Sequence, residues 1–258
     1  MNKKEIAIIS ALTAVIAFMD MSGIPSCFFV NIDFADINPI YFTLMVNFII
    51  IGILAFAVKK FLCPNWKLGF QKEGLIFGLK KYGMICVIVG AITCIAFCIG
   101  LQFNSAPSLW KLMVEGIIYY IGVAIVEELY IRGFLLNIIE KLFYKRKSKT
   151  LIAVILSSVI FGSGHIFGTL GQPILVIISK AVWTTGMGMY FGAVYKKTNN
   201  LWVPIIMHFF INICALPYCF TSFNGYADIS LYIILPTYLL LGAYSLYILK
   251  DKNNLQEK

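Results

Sequence analysis

The chain contains two histidines, and each of them lies inside a strongly apolar segment. His165 and His208 occupy two such segments, and a third carries Glu127, Glu128 and Arg132. A bilayer interior penalises ionisable side chains, so they are rare in membrane-spanning segments and usually mark function. Carboxylates and imidazoles are also the side chains that most often transfer protons in enzymes. These residue types therefore predict a buried hydrolytic centre.

The spacing of the acidic residues divides them between two tasks. Glu128 and Arg132 are four residues apart, so on a helix they share a face and can form an ion pair. Glu127 is rotated by about 100° from its neighbour in a helix of 3.6 residues per turn. We expect Arg132 to neutralise Glu128, which would anchor the site, while Glu127 faces a cavity and handles a proton or a metal ion.

The two histidine segments show the same four-residue spacing. Phe161 and His165 share one helix face, and His208 and Asn212 share another. Gly162 and Gly164, beside His165, are expected to let a neighbouring helix come close, as small residues do in membrane proteins. Asn212 is expected either to orient the ring of His208 or to donate a hydrogen bond to a developing oxyanion. Phe161 is interpreted as a packing residue.

Composition places these motifs in a membrane protein. The 258 residues are 60% hydrophobic and 13% charged, whereas soluble domains carry roughly twice that charged fraction. Repeated apolar runs approach the length of about 20 residues that a helix needs to cross a bilayer. The runs are solidly apolar and lack the alternation of a transmembrane β-barrel. The sequence therefore predicts an all-α, polytopic membrane protein with about eight transmembrane helices.

These helices are predicted to form a single membrane domain, residues 1–258, with the motifs in a core of about residues 112–217. The predicted spans are Ile6–Gly23, Ile40–Val58, Tyr82–Phe103, Leu112–Ile139, Leu151–Phe167, Ile174–Tyr195, Leu201–Pro217 and Leu231–Leu249.

Basic residues concentrate in alternate loops between the predicted spans. This set contains Lys3, Lys4, Lys59, Lys60, Lys67, Lys72, Lys80, Lys81, Lys141, Lys145, Arg146, Lys147, Lys149, Lys196, Lys197, Lys250, Lys252 and Lys258. By the positive-inside rule, these loops and both termini are cytoplasmic, which an even number of spans allows. The net charge of +9 is thereby explained by orientation, and nucleic acid is rejected as a partner. Lys111 and Lys180 lie near the opposite borders and are expected to snorkel.

The three motifs occur in a characteristic order. Glu127-Glu128-x-x-x-Arg132, then Phe161-x-x-x-His165, then His208-x-x-x-Asn212 resembles the CAAX protease and bacteriocin-processing (Abi) family of intramembrane proteases. The resemblance covers about residues 112–217, which correspond to the four-helix catalytic core of that family. Ile131 departs from the aromatic residue that many members carry before the arginine, without affecting a chemical role.

This resemblance implies hydrolysis of a peptide bond at a site that opens toward the cytosol. The substrate would be a peptide or lipidated protein associated with the lipid bilayer, as in CAAX trimming or in bacteriocin or signal-peptide processing. Glu127 and His165 would activate water, and His208 and Asn212 would stabilise the oxyanion. Glu128 and Arg132 would hold the arrangement. The composition and short loops indicate a microbial protein, integral to a bacterial cell membrane.

Two mechanisms remain open at this stage. Glu127, His165 and His208 could form a three-ligand zinc site with one open position, as in metalloproteases. Alternatively, glutamate drives water attack by general-base catalysis without a metal. Glu127, His165 and His208 are suited to either mechanism, so the sequence does not distinguish between them.

Two other functions are compatible with the same residues. The chain could keep the family fold and act as a membrane scaffold or bacteriocin-immunity protein without cleaving anything, although the complete set of motif residues argues against this. It could also be a carrier that uses buried glutamate and histidine as a proton relay. No inverted repeat or pair of broken helices supports the carrier.

Overall fold

The regular structure of the protein is helical throughout the described chain, as the composition predicted. The computed structural model describes residues 39–62, 64–99, 109–217 and 228–250, with the isolated positions 7 and 11. Its α-helices are α1 Pro39–Ala57, α2 Leu75–Ile99, α3 Leu109–Glu128, α4 Asn137–Leu142, α5 Lys149–Gly164, α6 Ile174–Thr198, α7 Trp202–Cys214 and α8 Asp228–Lys250. Residues Val58–Leu62 and Leu129–Leu136 are π-helical, and Phe167–Thr169 form a short 3₁₀ turn.

Within these ranges, four segments are long and apolar enough to cross a membrane. They are Leu75–Ile99, Lys149–Thr169, Ile174–Thr198 and Leu231–Lys250. The expected total of eight spans is thus not confirmed, and the predicted first span, Ile6–Gly23, lies outside the described residues. The predicted span Leu201–Pro217 contains only the 13-residue helix α7. At 1.5 Å per residue, α7 is about 20 Å long and too short to cross a bilayer core of about 30 Å.

Helix α6 packs closely against α5 on one side and α8 on another. Gly162 of α5 lies directly against Ala181 and Thr185 of α6, so a side chain at this position would collide with that helix. Gly186 of α6 similarly faces the backbone of Tyr238 in α8. The predicted role of Gly162 in close helix packing is confirmed, and these contacts draw the histidine-bearing end of α5 toward the bundle interior.

The acidic motif runs into a π-helical segment, where a continuous α-helix over Leu112–Ile139 was expected. This segment, Leu129–Leu136, joins α3 to α4 and carries Arg132. Asn137 donates its side-chain amide to the carbonyl oxygens of Arg132, at 3.1 Å, and Gly133, at 2.9 Å. Its amide also donates to Tyr195 Oη, at 3.0 Å. Asn137 thus ties the segment to α6, and such π-helical interruptions frequently occur at functional sites.

The helix ends that carry most of the lysines meet at one end of the bundle, here called the lysine-rich end, where Lys147, Lys196 and Lys197 surround one cavity together with Glu73 and Leu249. Asn200, between α6 and α7, donates to the carbonyl oxygens of Gln71, at 2.6 Å, and Glu73, at 2.8 Å. The Leu201 amide donates to the carbonyl of Gly69, at 2.8 Å. The turn before α2 is therefore fixed against the turn between α6 and α7.

A polar network also stabilises the lysine-rich end. Lys196 Nζ lies 2.6 Å from Glu140 Oε2 and also donates to Asn137 Oδ1, at 3.3 Å. The Thr150 hydroxyl donates a short hydrogen bond to the same carboxylate. Burial alone would raise the pKa of Glu140, but the Lys196 ammonium and the two hydrogen bonds outweigh it and hold the pKa below its usual value.

This lowered pKa predicts a sensitivity to acid. A carboxylate with a lowered pKa in the folded state contributes stability above its unfolded pKa, and that contribution is lost as pH falls through the folded pKa. We expect Glu140→Gln to flatten the loss of thermal stability of the detergent-solubilised protein over that acidic range. Glu73→Gln, which alters an exposed carboxylate at the same end, is the control. Equal acid profiles for wild type and Glu140→Gln would contradict the prediction.

Candidate active site

Glu128 contacts both Arg132 and His208 at the centre of the site. Its carboxylate is fully buried, and Oε1 lies 3.0 Å from Arg132 Nη1 and 2.9 Å from His208 Nδ1. The first contact is the four-residue ion pair that the sequence predicted. The second joins α3 to α7 and was not predicted, since the sequence offered Asn212, as one of two alternatives, to orient the His208 ring. Glu128 therefore connects two of the three motifs.

The buried arginine is held from several sides. Arg132 is fully buried, and Nη2 donates to the carbonyl of Gly188, at 3.1 Å. Its guanidinium carbon lies 4.8 Å from the ring centroid of Phe161 and 5.6 Å from that of Phe191. A guanidinium over aromatic faces gains favourable cation–π energy, most strongly where water is excluded. Phe161, interpreted from the sequence as packing alone, also takes part in this charged cluster.

The two nitrogens of His208 face two different carboxylates. Since a carboxylate can only accept, Nδ1 donates its proton to Glu128 Oε1. Nε2 then lies 3.6 Å from Glu127 Oε2, on the other side of the ring. Consecutive glutamates thus contact opposite edges of one imidazole. His208 is 2% exposed and Glu127 12%, so the space between the two side chains is largely shielded from water.

The second histidine has a fixed tautomer as well. His165 Nδ1 lies 2.9 Å from the carbonyl oxygen of Phe161, one helical turn earlier. A carbonyl accepts and cannot donate, so Nδ1 carries the proton, and in the neutral ring Nε2 keeps its lone pair. The ring stands edge-on to Phe161, with centroids 4.7 Å apart. The four-residue spacing of this motif therefore sets the chemistry of the imidazole as well as its face.

The four predicted reactive residues line one cavity of about 250 Å³. Glu127 comes from α3, His165 immediately follows α5, and His208 and Asn212 come from α7. Glu128 and Arg132 do not line this cavity and lie behind it. The division predicted from the sequence, in which one carboxylate is paired internally and the other faces a cavity, matches the geometry.

Other cavity-lining residues were not identified as site residues from the sequence. Lys180, expected to snorkel at a membrane border, instead lines the cavity, and its ammonium lies 4.9 Å from the ring centroid of Trp183. An ionisable residue seven positions into an apolar helix was the available signal. Helices α2 and α8 also contribute, through residues such as Thr93 and Tyr238, so the cavity extends beyond a four-helix core.

Binding of zinc by Glu127, His165 and His208, which line the same cavity, stays a prediction. Across the described ranges of the chain, no group of three or more His, Cys, Asp and Glu side chains has an arrangement that could hold a metal ion. Glu127 and His208 are close neighbours, whereas zinc needs three protein ligands at about 2 Å each in a catalytic site. We therefore derive no step through a metal.

Taken together, fold and cavity define a class: an integral membrane protein with a glutamate–histidine site among apolar helices. Residues 107–214, somewhat less than half of the chain, match the family model described as type II CAAX prenyl endopeptidase Rce1-like. This segment is therefore similar to the CAAX protease family, as its motifs indicated, and that is a family of proteases. No curated protein matches the chain at a significant level.

Proposed function

We propose that the protein is an intramembrane endopeptidase that hydrolyses a peptide bond of a membrane-associated peptide or lipidated protein. The observation that carries this proposal is the convergence of Glu127, His165, His208 and Asn212 on one cavity within an apolar bundle. A non-proteolytic scaffold would have no need to keep a general base and two oriented imidazoles around an accessible space.

In the proposed reaction, Glu127, assisted by His165 Nε2, takes a proton from water as its oxygen attacks the scissile carbonyl. Glu127 then passes this proton to His208 Nε2, 3.6 Å away, which creates an imidazolium supported by the Glu128 carboxylate. The new Nε2–H and the side-chain amide of Asn212 donate hydrogen bonds to the oxyanion. The C–N bond then breaks, and the proton passes to the leaving amine. The new carboxyl group keeps the water oxygen.

Comparison of peptide ends in living cells tests the proposal directly. We expect new amino and carboxyl termini of membrane peptides in cells that contain the wild-type protein, and their loss with His165→Ala, because the fixed Nε2 lone pair is removed. Ser163→Ala is the matched control, since Ser163 is exposed and lies two residues before His165, in the last turn of α5. Mass spectrometry of membrane fractions measures the termini. Identical termini in wild type and His165→Ala would favour the scaffold function instead.

Metal chelation separates the two mechanisms. Among the described residues, no three His, Cys, Asp or Glu side chains form a group that could hold a metal ion. We therefore expect cleavage by membranes to persist after treatment with a strong zinc chelator. Elemental analysis of the purified protein should likewise find no zinc at one ion per chain. Loss of cleavage on chelation, with recovery on adding zinc, would establish the metalloprotease alternative.

A further inference from the structure

We propose that Lys180 is a specificity-determining residue that binds a carboxylate of the substrate, so that the preferred peptides carry a negative charge close to the scissile bond. This inference rests on the proposed function and specifies its substrate class. The carboxylate belongs either to the carboxyl terminus of the peptide or to an aspartate or glutamate side chain, since both offer the same two acceptor oxygens to an ammonium.

The first argument is the face of α6 on which Lys180 lies. Lys180 lines the cavity together with Trp183, Thr184 and Met187. Spacings of three, four and seven residues place these side chains on one face of the helix. Helix α6 is also one of the segments that are long and apolar enough to cross a membrane. An ionisable residue that faces a cavity from such a helix is expected to have a function, because burying a charge in a bilayer is costly.

The second argument is the level of Lys180 along the bundle. Ser158 of α5 lies against Gly188 of α6, and one turn further along α5 the helix lies against Ala181 instead. The two helices are therefore antiparallel. Continuing for three more residues along α5 reaches His165, and the matching position of α6 is close to Lys180. The lysine thus lies level with one of the two imidazoles, on the wall of the same cavity.

The third argument is the way in which the ammonium group is held. The Lys180 nitrogen lies 4.9 Å from the ring centroid of Trp183, and this tryptophan is 6% exposed. A cation over an indole face gains favourable energy, and it gains more where water is excluded. An ammonium has three N–H donors and no acceptor. Its strongest hydrogen bonds are those to anionic acceptors, of which a peptide has only carboxylates.

The two opposite charges on the cavity wall give the substrate a direction. Glu127 contributes a carboxylate and Lys180 an ammonium. A substrate carboxylate is attracted by Lys180 and repelled by Glu127, so it binds at the α6 wall, while the neutral scissile carbonyl faces Glu127. Complementary charges of this kind set specificity and register more than affinity. A basic substrate side chain at the same position is disfavoured by the like charge of Lys180.

Binding of matched amphiphiles to the protein in a non-ionic detergent tests the proposal. N-dodecanoylglycine carries a terminal carboxylate, the α-amide of N-dodecanoyl-aspartic acid carries a side-chain carboxylate, and N-dodecanoylglycinamide is neutral. Each probe is titrated, and the rise of the thermal unfolding midpoint gives its apparent affinity, because a ligand of the folded state stabilises it. We expect at least one carboxylate probe to bind about tenfold or more tightly than the neutral probe. The tighter of the two identifies the source of the carboxylate.

Three variants connect this preference to one side chain. Lys180→Arg should keep it, because the positive charge remains, and Lys180→Met should abolish it. Lys147→Met, which removes an exposed lysine outside the cavity, is the matched control and should keep it. If Lys180→Met does not accumulate, Lys180→Gln replaces it. Equal affinity of the wild type for charged and neutral probes, or an unchanged preference without Lys180, would overturn the proposal.

The positions of cleavage provide a second test. Among the peptide termini that form only when the wild-type protein is present, we expect a carboxylate within a few residues of the cut. The yield of these termini should fall about tenfold or more in Lys180→Met and persist in Lys180→Arg. An unchanged set of termini in Lys180→Met would overturn the proposal. Absence of any such termini in the wild type would count against the proposed protease function alone, because probe binding still decides whether Lys180 selects a carboxylate.

Discussion

Replacing Glu127 with glutamine should abolish peptide cleavage while leaving the folded protein in the membrane. Glutamine keeps the shape of the side chain but cannot accept a proton from water. General acid–base groups typically contribute about 10²–10⁴-fold to rate, and a loss of this size is expected. Glu127 lines the cavity and is 12% exposed, so its neutralisation leaves no buried charge unpaired at the Glu128–Arg132 pair.

The measurement is the yield of the peptide termini that form only when the wild-type protein is present. The variants are compared at equal amounts of protein in the membrane. Glu140→Gln makes the same chemical change at the lysine-rich end, outside the cavity, and should retain cleavage. Cleavage by Glu127→Gln at the wild-type rate would remove the general base from the proposed mechanism. Loss of cleavage in both variants would indicate a general effect of lost charge.

Replacing Arg132 with leucine is expected to have the largest effect on stability. The guanidinium is fully buried and lies 3.0 Å from the equally buried Glu128 carboxylate. Removing one member of a buried ion pair leaves the other charge uncompensated, which costs about 3–5 kcal/mol. The variant also loses the hydrogen bond to Gly188 and the contact with Phe161. We expect the protein to fail to accumulate or to unfold at much lower denaturant concentration.

Arg146→Leu is the matched control, because Arg146 is the other arginine of the chain and is exposed. Adding Glu128→Gln to Arg132→Leu should recover part of the lost stability, since the orphaned carboxylate is then neutral. Unfolding of detergent-solubilised protein measures the three variants. A stability loss no greater than that of Arg146→Leu would show that the buried pair does not hold the site together.

The Glu128–Arg132 and Phe161–His165 contacts could be predicted from sequence because they depend only on helix periodicity. Residues four apart meet wherever the helix forms, so the ion pair and the fixed tautomer of His165 follow from local geometry. Apolar composition predicted the helical membrane fold for a separate reason. Backbone groups without hydrogen-bond partners are too costly in lipid, and a helix pairs them within one segment. The convergence of the separate segments was suggested by the residue types and the family motifs, because helix periodicity does not relate one helix to another.

The helix boundaries and the number of spans were predicted less well. Hydropathy reports where a segment prefers lipid, and it does not report where a helix stops or changes its winding. The predicted span Leu201–Pro217 contains a helix of only 13 residues, and the segment after Glu128 is π-helical rather than α-helical. Asn137 bonds to the carbonyls of Arg132 and Gly133 and to Tyr195 in that region, and tertiary contacts of this kind have no periodic signal.

The sequence by itself determined the helices, the reactive residue types and the contacts between residues one turn apart, because these follow from hydropathy and a fixed rise and twist. Only the tertiary structure decided which groups from different helices meet. It placed His208 between Glu127 and Glu128, and it brought Lys180 into the cavity. These outcomes depend on how bulky and small side chains on separate helices pack, and no spacing along one helix encodes them.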